Sequence, residues 1–122
     1  MNSIITLAGR KKMAEARAGI RAVAPIVAMA VGDGGIDENG KVKIPGDTLN
    51  HELLRREVES ITKVSDTCYC YRLCIKEDEL IGCELSEKAL IDSDGDIVAI
   101  LNFARKEKDE GAKMYFELED IF

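Results

Sequence analysis

Apolar residues change period several times along this chain, and each change predicts an element. Leu7 to Ala18 is rich in Ala, Lys, Arg, Met and Glu, all good helix formers. Thr6 is the expected N-cap of a helix running to about Ile20, with Gly19 as its stop. Leu7, Met13, Ala14 and Ala18 are assigned to its inner face, and Lys11, Lys12, Glu15 and Arg17 to water. Gly9 marks a place where another backbone comes close. Pro25 then opens the near-continuous apolar run Ile26 to Val31, which predicts a strand buried on both faces.

Gly32 to Gly46 is a polar loop holding five glycines, long enough to be a functional surface. Pro45-Gly46-Asp47 signals a turn, and Thr48 or Asn50 caps a short helical turn. From Arg55 the period becomes two. Val58, Ser60, Thr62 and Val64 oppose Glu57, Glu59, Ile61 and Lys63, the pattern of a twisted edge strand. Thr67 to Glu77 alternates strictly, with Tyr69, Tyr71, Leu73 and Ile75 on one face and Cys68, Cys70, Arg72, Cys74 and Lys76 on the other. Leu85 to Ile91 and Ile97 to Arg105 are two more strands, joined by a turn at Asp92-Ser93-Asp94-Gly95 in which Gly95 takes positive φ. Lys106 to Gly111 is a polar turn, and Met114 to Leu118 a last strand. The expected fold is α+β, one N-terminal helix packed on a mostly antiparallel β-sheet, in a single domain over residues 1–122.

Composition narrows the function classes. The chain has 122 residues, of which 46% are hydrophobic and 33% charged, enough for one ordered core. A net charge of −6 argues against nucleic acid and anionic membrane as partners, since both require clustered Lys and Arg. No apolar run is long enough to span a bilayer, and Met1 to Ile5 lacks the charged lead and long apolar segment of an export signal. The expected setting is a reducing cytoplasm, with the four cysteines as free thiols.

No residue set carries a strong catalytic or metal signal. Cys68 and Cys70 form a Cys-x-Cys on a strand with no second tight pair, so small half-buried thiols are expected rather than zinc ligands. Asp92, Asp94 and Asp96 have calcium-like spacing, but the glycine comes early and no glutamate closes the loop. Gly32-Asp33-Gly34-Gly35 lacks a phosphate-binding lysine, and Asp33 repels anions, so a sharp corner is expected. His51 is the single histidine, and nothing in the sequence places a thiol beside it. Arg10, Lys11, Lys12, Arg17 and Arg21 read as the solvated face of a helix. The expectation is no enzyme, no catalytic or metal-binding residues and no cofactor. The alternative is a small intracellular ligand- or metal-binding domain using the cysteine-bearing strand face.

The order of these pieces resembles the N-terminal domain of phage tail-collar fibre proteins. Thr6-Leu7-Ala8-Gly9 leads into the alanine-rich helix. Met29 to Gly35 matches an apolar-Ala-Val-Gly-Asp-Gly corner, and Leu49, Glu52 and Arg55 match a Leu-x-x-Glu-x-x-Arg element. Gly82, Glu87, Leu90, Asp92, Asp94, Gly95, Ile97, Val98 and Ala99 match a downstream block. Leu53 and Leu54 stand where an aromatic is common, and Lys88 where a small or apolar residue is common. The resemblance implies a structural motif of Gly32, Asp33, Gly34, Glu52, Arg55, Glu87, Asp94 and Gly95. Glu52 with Arg55, or Arg55 with Glu87, would form an ion pair pinning the helical turn to the sheet. It further implies a non-enzymatic component of a phage tail or phage-derived tail-like particle, attaching or organising fibres at the baseplate or collar. Its partners would be other tail, baseplate or fibre proteins and further copies of itself, with a trimer as the family pattern. Its location would be the virion tail, assembled in the bacterial host cytoplasm. The chain stops at Phe122, so the resemblance implies the attachment module rather than a receptor-binding tip.

Overall fold

The computed structural model describes residues 2–122, with side chains in the first strand from Ile4 onward. Its elements are β1 (Asn2–Ile5), α1 (Leu7–Arg17), β2 (Ile26–Gly32), β3 (Glu52–Glu57), β4 (Ser60–Ser65), β5 (Cys68–Ile75), β6 (Glu84–Asp92), β7 (Ile97–Glu107) and β8 (Met114–Ile121). They form a five-stranded sheet in the order β1-β7-β6-β2-β3 and a three-stranded sheet in the order β4-β5-β8. Every strand pair is antiparallel.

This corrects the α+β expectation. The described residues are mostly β, with two sheets, about half of them in strands and a single short helix. The main core forms between the sheets, where Met29, Val31, Leu90 and Ala99 of the larger meet Leu73, Phe116 and Leu118 of the smaller. Strand alternation sends Ala30, Ala89, Ile91 and Ile100 to the opposite face of the larger sheet, where they join the buried Leu49. A second sheet, rather than a helix, therefore covers the larger apolar face. The alternating residues of β5 and β8 build that cover, and an 11-residue helix is too small to do so.

The helix begins at Thr6, whose Oγ1 accepts from the Gly9 N–H and donates to the Ile97 carbonyl at 2.6 Å. It ends at Arg17, and Gly19 follows with φ +73°. Its inner face is not the apolar set assigned from the sequence. Thr6, Gly9 and Lys12 are buried, while Leu7, Ala14 and Ala18 are exposed. Gly9 lets the helix press on the start of β7: a Cβ there would lie 2.5 Å from the Val98 carbonyl oxygen.

No helical turn forms after Thr48. Glu52–Glu57 is instead an edge strand beside β2, because two consecutive leucines and its charged residues suit a half-covered strand. The register shifts between Val31 and Gly32, leaving Leu53 unpaired as a bulge. In β5, Leu73 and Ile75 are buried but Tyr69 is exposed. At the start of β5 the buried residues are Cys68 and Cys70 on the opposite face, so burial changes face along the strand.

Arg56 of β3 fastens the two sheets. Its Nη2 pairs with Glu79 Oε2, and its Nη1 donates to Glu79 Oε1 at 2.7 Å and to the Cys74 carbonyl at 3.1 Å. The Arg56 guanidinium, helped by the Lys76 N–H, holds the Glu79 carboxyl down at about 2, below its ordinary 4.5. The folded state thus binds a proton here more weakly than the unfolded chain does. The pair's contribution is fully present above pH 4.5 and is lost as pH falls through about 2. The expected result is a melting-temperature gap between wild type and Glu79→Gln that is constant near neutrality and closes on acidification. A gap unchanged down to pH 2 would assign the effect to packing.

Candidate functional site

A glycine corner, a crossing loop and a buried carboxylate come together at one end of the larger sheet. Glu87 lies on β6 and is fully buried. Its Oε2 accepts from the backbone N–H groups of Gly34 at 3.0 Å and His51 at 2.8 Å, and its Oε1 accepts from Asn50 at 2.8 Å. One side chain thereby holds both ends of the long loop. Backbone donors match a buried carboxylate well, since each such bond is charge-assisted.

The glycines make this approach possible. A Cβ on Gly32 would lie 2.1 Å from the His51 carbonyl oxygen and 2.6 Å from Glu87 Oε2. On Gly34 it would meet Asn50 Cβ at 2.6 Å, and on Gly35 the Ser86 carbonyl oxygen at 2.1 Å. None of the three has positive φ. Glycine is required here for proximity to other backbone. Asp33 closes the corner from outside, its N–H donating to the His51 carbonyl and its carboxylate meeting His51 Nδ1. The sequence offered Asn50 only as a cap for a helical turn and gave Ser86 no role. Asn50 Nδ2 donates to the Gly34 carbonyl, and Ser86 Oγ accepts from the Gly35 N–H at 2.9 Å. Their signal was adjacency to the matched motif, Asn50 directly before His51-Glu52 and Ser86 directly before Glu87.

The second constellation surrounds Lys12, which was expected to face water and is instead buried. Its Nζ lies 2.5 Å from Asp92 Oδ2, 2.6 Å from Asp96 Oδ2 and 3.1 Å from Asp94 Oδ2. Arg21 also reaches Asp94 at 2.7 Å. The three carboxylate oxygens are clustered closely enough for a metal ion, and the helix supplies an ammonium at their centre. The hydrogen bonds Lys12 donates to Asp92 and then to Asp96 push its pKa above the ordinary value, and Lys12 holds the Asp94 carboxyl below its own. The Asp-x-Asp-Gly-Asp turn is therefore the helix's docking point. Gly95 sits in it with φ +87° and open space around it, so the cost of substitution is backbone strain alone. Gly95→Val is expected to destabilise by about 1–3 kcal/mol and Gly95→Asn by less, because Asn tolerates positive φ. Equal thermal shifts for the two would refute that explanation.

Arg55 pairs with Glu52, at 2.8 and 3.0 Å, on the exposed side of β3, and its Nη1 touches the Gly95 carbonyl at 3.5 Å. The Leu53 bulge shifts the alternation between Glu52 and Arg55, two residues that a regular strand would turn to opposite faces. Arg55 does not pair with Glu87, whose oxygens are held by backbone. An exposed pair contributes little, so Arg55→Ala and Arg17→Ala are both expected to cost less than about 1 kcal/mol in urea unfolding. A loss several times larger for Arg55 would overturn this.

The cysteine face offers little chemistry. All four cysteines are free. Cys70 Sγ lies 3.0 Å from Glu117 Oε2, and Cys68 Sγ 3.8 Å from Glu119 Oε2. Burial, then the bond to Glu117, pushes the Cys70 thiol up to about 11. Burial and Glu119 also raise Cys68. Both remain protonated at neutral pH, whereas metal ligation and nucleophilic attack require the thiolate. The ring of His51 is engaged with Asp33 at the other constellation.

No solved structure matches the chain. A protein of Escherichia phage P2 described as a probable tail fiber protein is 34% identical over 110 residues, which is 87% of this chain and 16% of that protein. The chain thus corresponds to a small part of this relative's length. The family model for the N-terminal region of phage tail-collar fibre proteins matches residues 1–116. The corner, the Glu87 cradle and the Asp-x-Asp-Gly turn all lie inside that match, and the chain belongs to the phage tail-collar fibre protein family, as a phage tail component.

Proposed function

We propose that this chain is a non-enzymatic attachment module, holding or organising fibres at the baseplate or collar of a phage tail or tail-like particle. The family match over residues 1–116 carries the reading. The internal chemistry supports it. Glu87, Lys12, Asp92 and Arg56 are all engaged in tying loops, helix and sheets to one another. A module that transmits force between particle parts benefits from such cross-ties. Its partners are other tail, baseplate or fibre proteins, and assembly takes place in the host cytoplasm. Its structural motif is Gly32, Asp33, Gly34, Glu52, Arg55, Glu87, Asp94 and Gly95, of which Glu87 with the glycines forms the cradle and Asp94 with Gly95 the helix dock. Self-association, with a trimer as the family pattern, completes the proposal.

Deleting the coding segment in the producing strain tests this reading. The expected particles have intact tails and baseplates but lack fibres, and the chain supplied in trans restores them. Fibres present at normal number in the deletion would refute it.

A further inference from the structure

The two sheets leave a cleft of about 410 Å³ between β1 and β8. Both lips are edge strands: among the described residues β1 pairs with β7 alone, and β8 with β5 alone. The floor is apolar, formed by Ile5, Leu101 and Leu118, and the β8 side carries Glu117, Glu119 and Asp120. The Glu117 carbonyl turns away from β5 and accepts from Lys88 Nζ at 2.6 Å. Strand periodicity turns the Glu119 and Ile121 backbone groups toward the same open edge.

Charge singles this edge out. On β3, Arg55 meets Glu52 and Arg56 meets Glu79. Near β4, Lys63 meets Asp66 and Arg72 meets Glu59. Among the described residues, no Lys or Arg side chain forms an ion pair with the carboxylates of Glu117, Glu119 or Asp120, and Lys88 reaches Glu117 at its backbone carbonyl. Burial pushes the Asp120 carboxyl above its ordinary value, which an approaching cation would reverse. An unpaired strand edge is normally covered or neutralised, and this one is apolar beneath and negative at the rim.

We infer that the β1–β8 cleft receives one extended segment of a partner tail protein, alternating apolar residues with Lys or Arg. Its backbone adds to the open edge of β8, its apolar side chains enter the cleft on the Leu118 side, and its cations, on the other side of the added strand, meet Glu117 and Glu119. The inference rests on the attachment reading and names the surface that performs it.

The probe is a synthetic peptide alternating isoleucine with lysine, compared with one alternating isoleucine with glutamate. Titration at about 0.15 M salt screens diffuse attraction to the acidic protein. The lysine peptide is expected to bind more tightly and to slow amide hydrogen exchange in β1 and β8. The double variant Glu117→Lys/Glu119→Lys is expected to weaken it at least tenfold and to favour the glutamate peptide. Glu117→Gln/Glu119→Gln, with an intermediate loss, replaces that variant if its melting shows it unfolded. Protection confined to other strands, or equal binding of the two peptides, would overturn the inference. Concentration-dependent self-association that the charge reversal abolishes would also overturn it, because a second copy would then fill the cleft. Incorporation into tails separates the two levels. If the peptide fails while the chain still copurifies with tails, the cleft assignment falls and the attachment reading stands. A chain absent from tails removes the attachment reading itself.

Discussion

Glu87→Gln is expected to lower the melting temperature by about 4 °C or more, while Glu84→Gln, three residues earlier on the same strand, leaves it nearly unchanged. The Glu87 carboxylate accepts three backbone N–H bonds from Gly34, Asn50 and His51 in a fully buried setting. An amide of the same size keeps one acceptor oxygen and turns an NH₂ toward donors that then have no acceptor. The remaining oxygen keeps at most two of the three bonds, so one or two donors are stranded in the interior, each at about 1–3 kcal/mol. For a chain of this length each kcal/mol corresponds to roughly 4 °C. Glu84 lies on the exposed end of β6, 3.5 Å from Arg105, where a single pair has little weight. Equal shifts for the two variants would mean that the loop ends are held by something other than the carboxylate.

The second large effect is expected at Gly35. Gly35→Ala places a Cβ 2.1 Å from the Ser86 carbonyl oxygen and 3.2 Å from Ser86 Oγ. Neither the strand backbone nor the loop, fixed by the Gly35 N–H bond to Ser86 and the Lys43 N–H bond to the Gly35 carbonyl, can yield locally. Loss of the folded protein, or destabilisation beyond about 3 kcal/mol, is the expected outcome. Gly46→Ala is the control, with nothing within 4 Å of the added carbon and no positive φ. It is expected to be neutral or slightly stabilising, by reducing the freedom of the unfolded chain. If Gly35→Ala melts like Gly46→Ala, the corner is looser than described and the cradle account fails with it.

The strands were legible wherever one chemical fact dominated. The unbroken apolar run Ile26 to Val31 became β2, which extends to Gly32, and the Asp92–Gly95 turn joins β6 to β7. The α+β class failed because the apolar alternation of β5 and β8 does not say whether those strands extend one sheet or cover it with another. Burial of Lys12 was hidden because a helical lysine normally faces solvent, and its three carboxylate partners lie some eighty residues away. Those carboxylates, crowded at Asp92, Asp94 and Asp96 without a local cation, were the available clue. The segment after Thr48 misled because cap-type residues precede two leucines, a pattern as helical as it is extended. Pairing with β2 decides it. At the corner, the glycines were visible in the sequence, but their reason was not. Turn chemistry suggested special φ, whereas the structure requires closeness to His51, Asn50 and Ser86.

Immunogold electron microscopy of tail particles from the producing cells, with antibody to this chain, tests the central claim most directly. Label is expected to cluster at one end of the tail, at the baseplate or collar where fibres join. Intact particles without label, or label spread evenly along the tail, would contradict it.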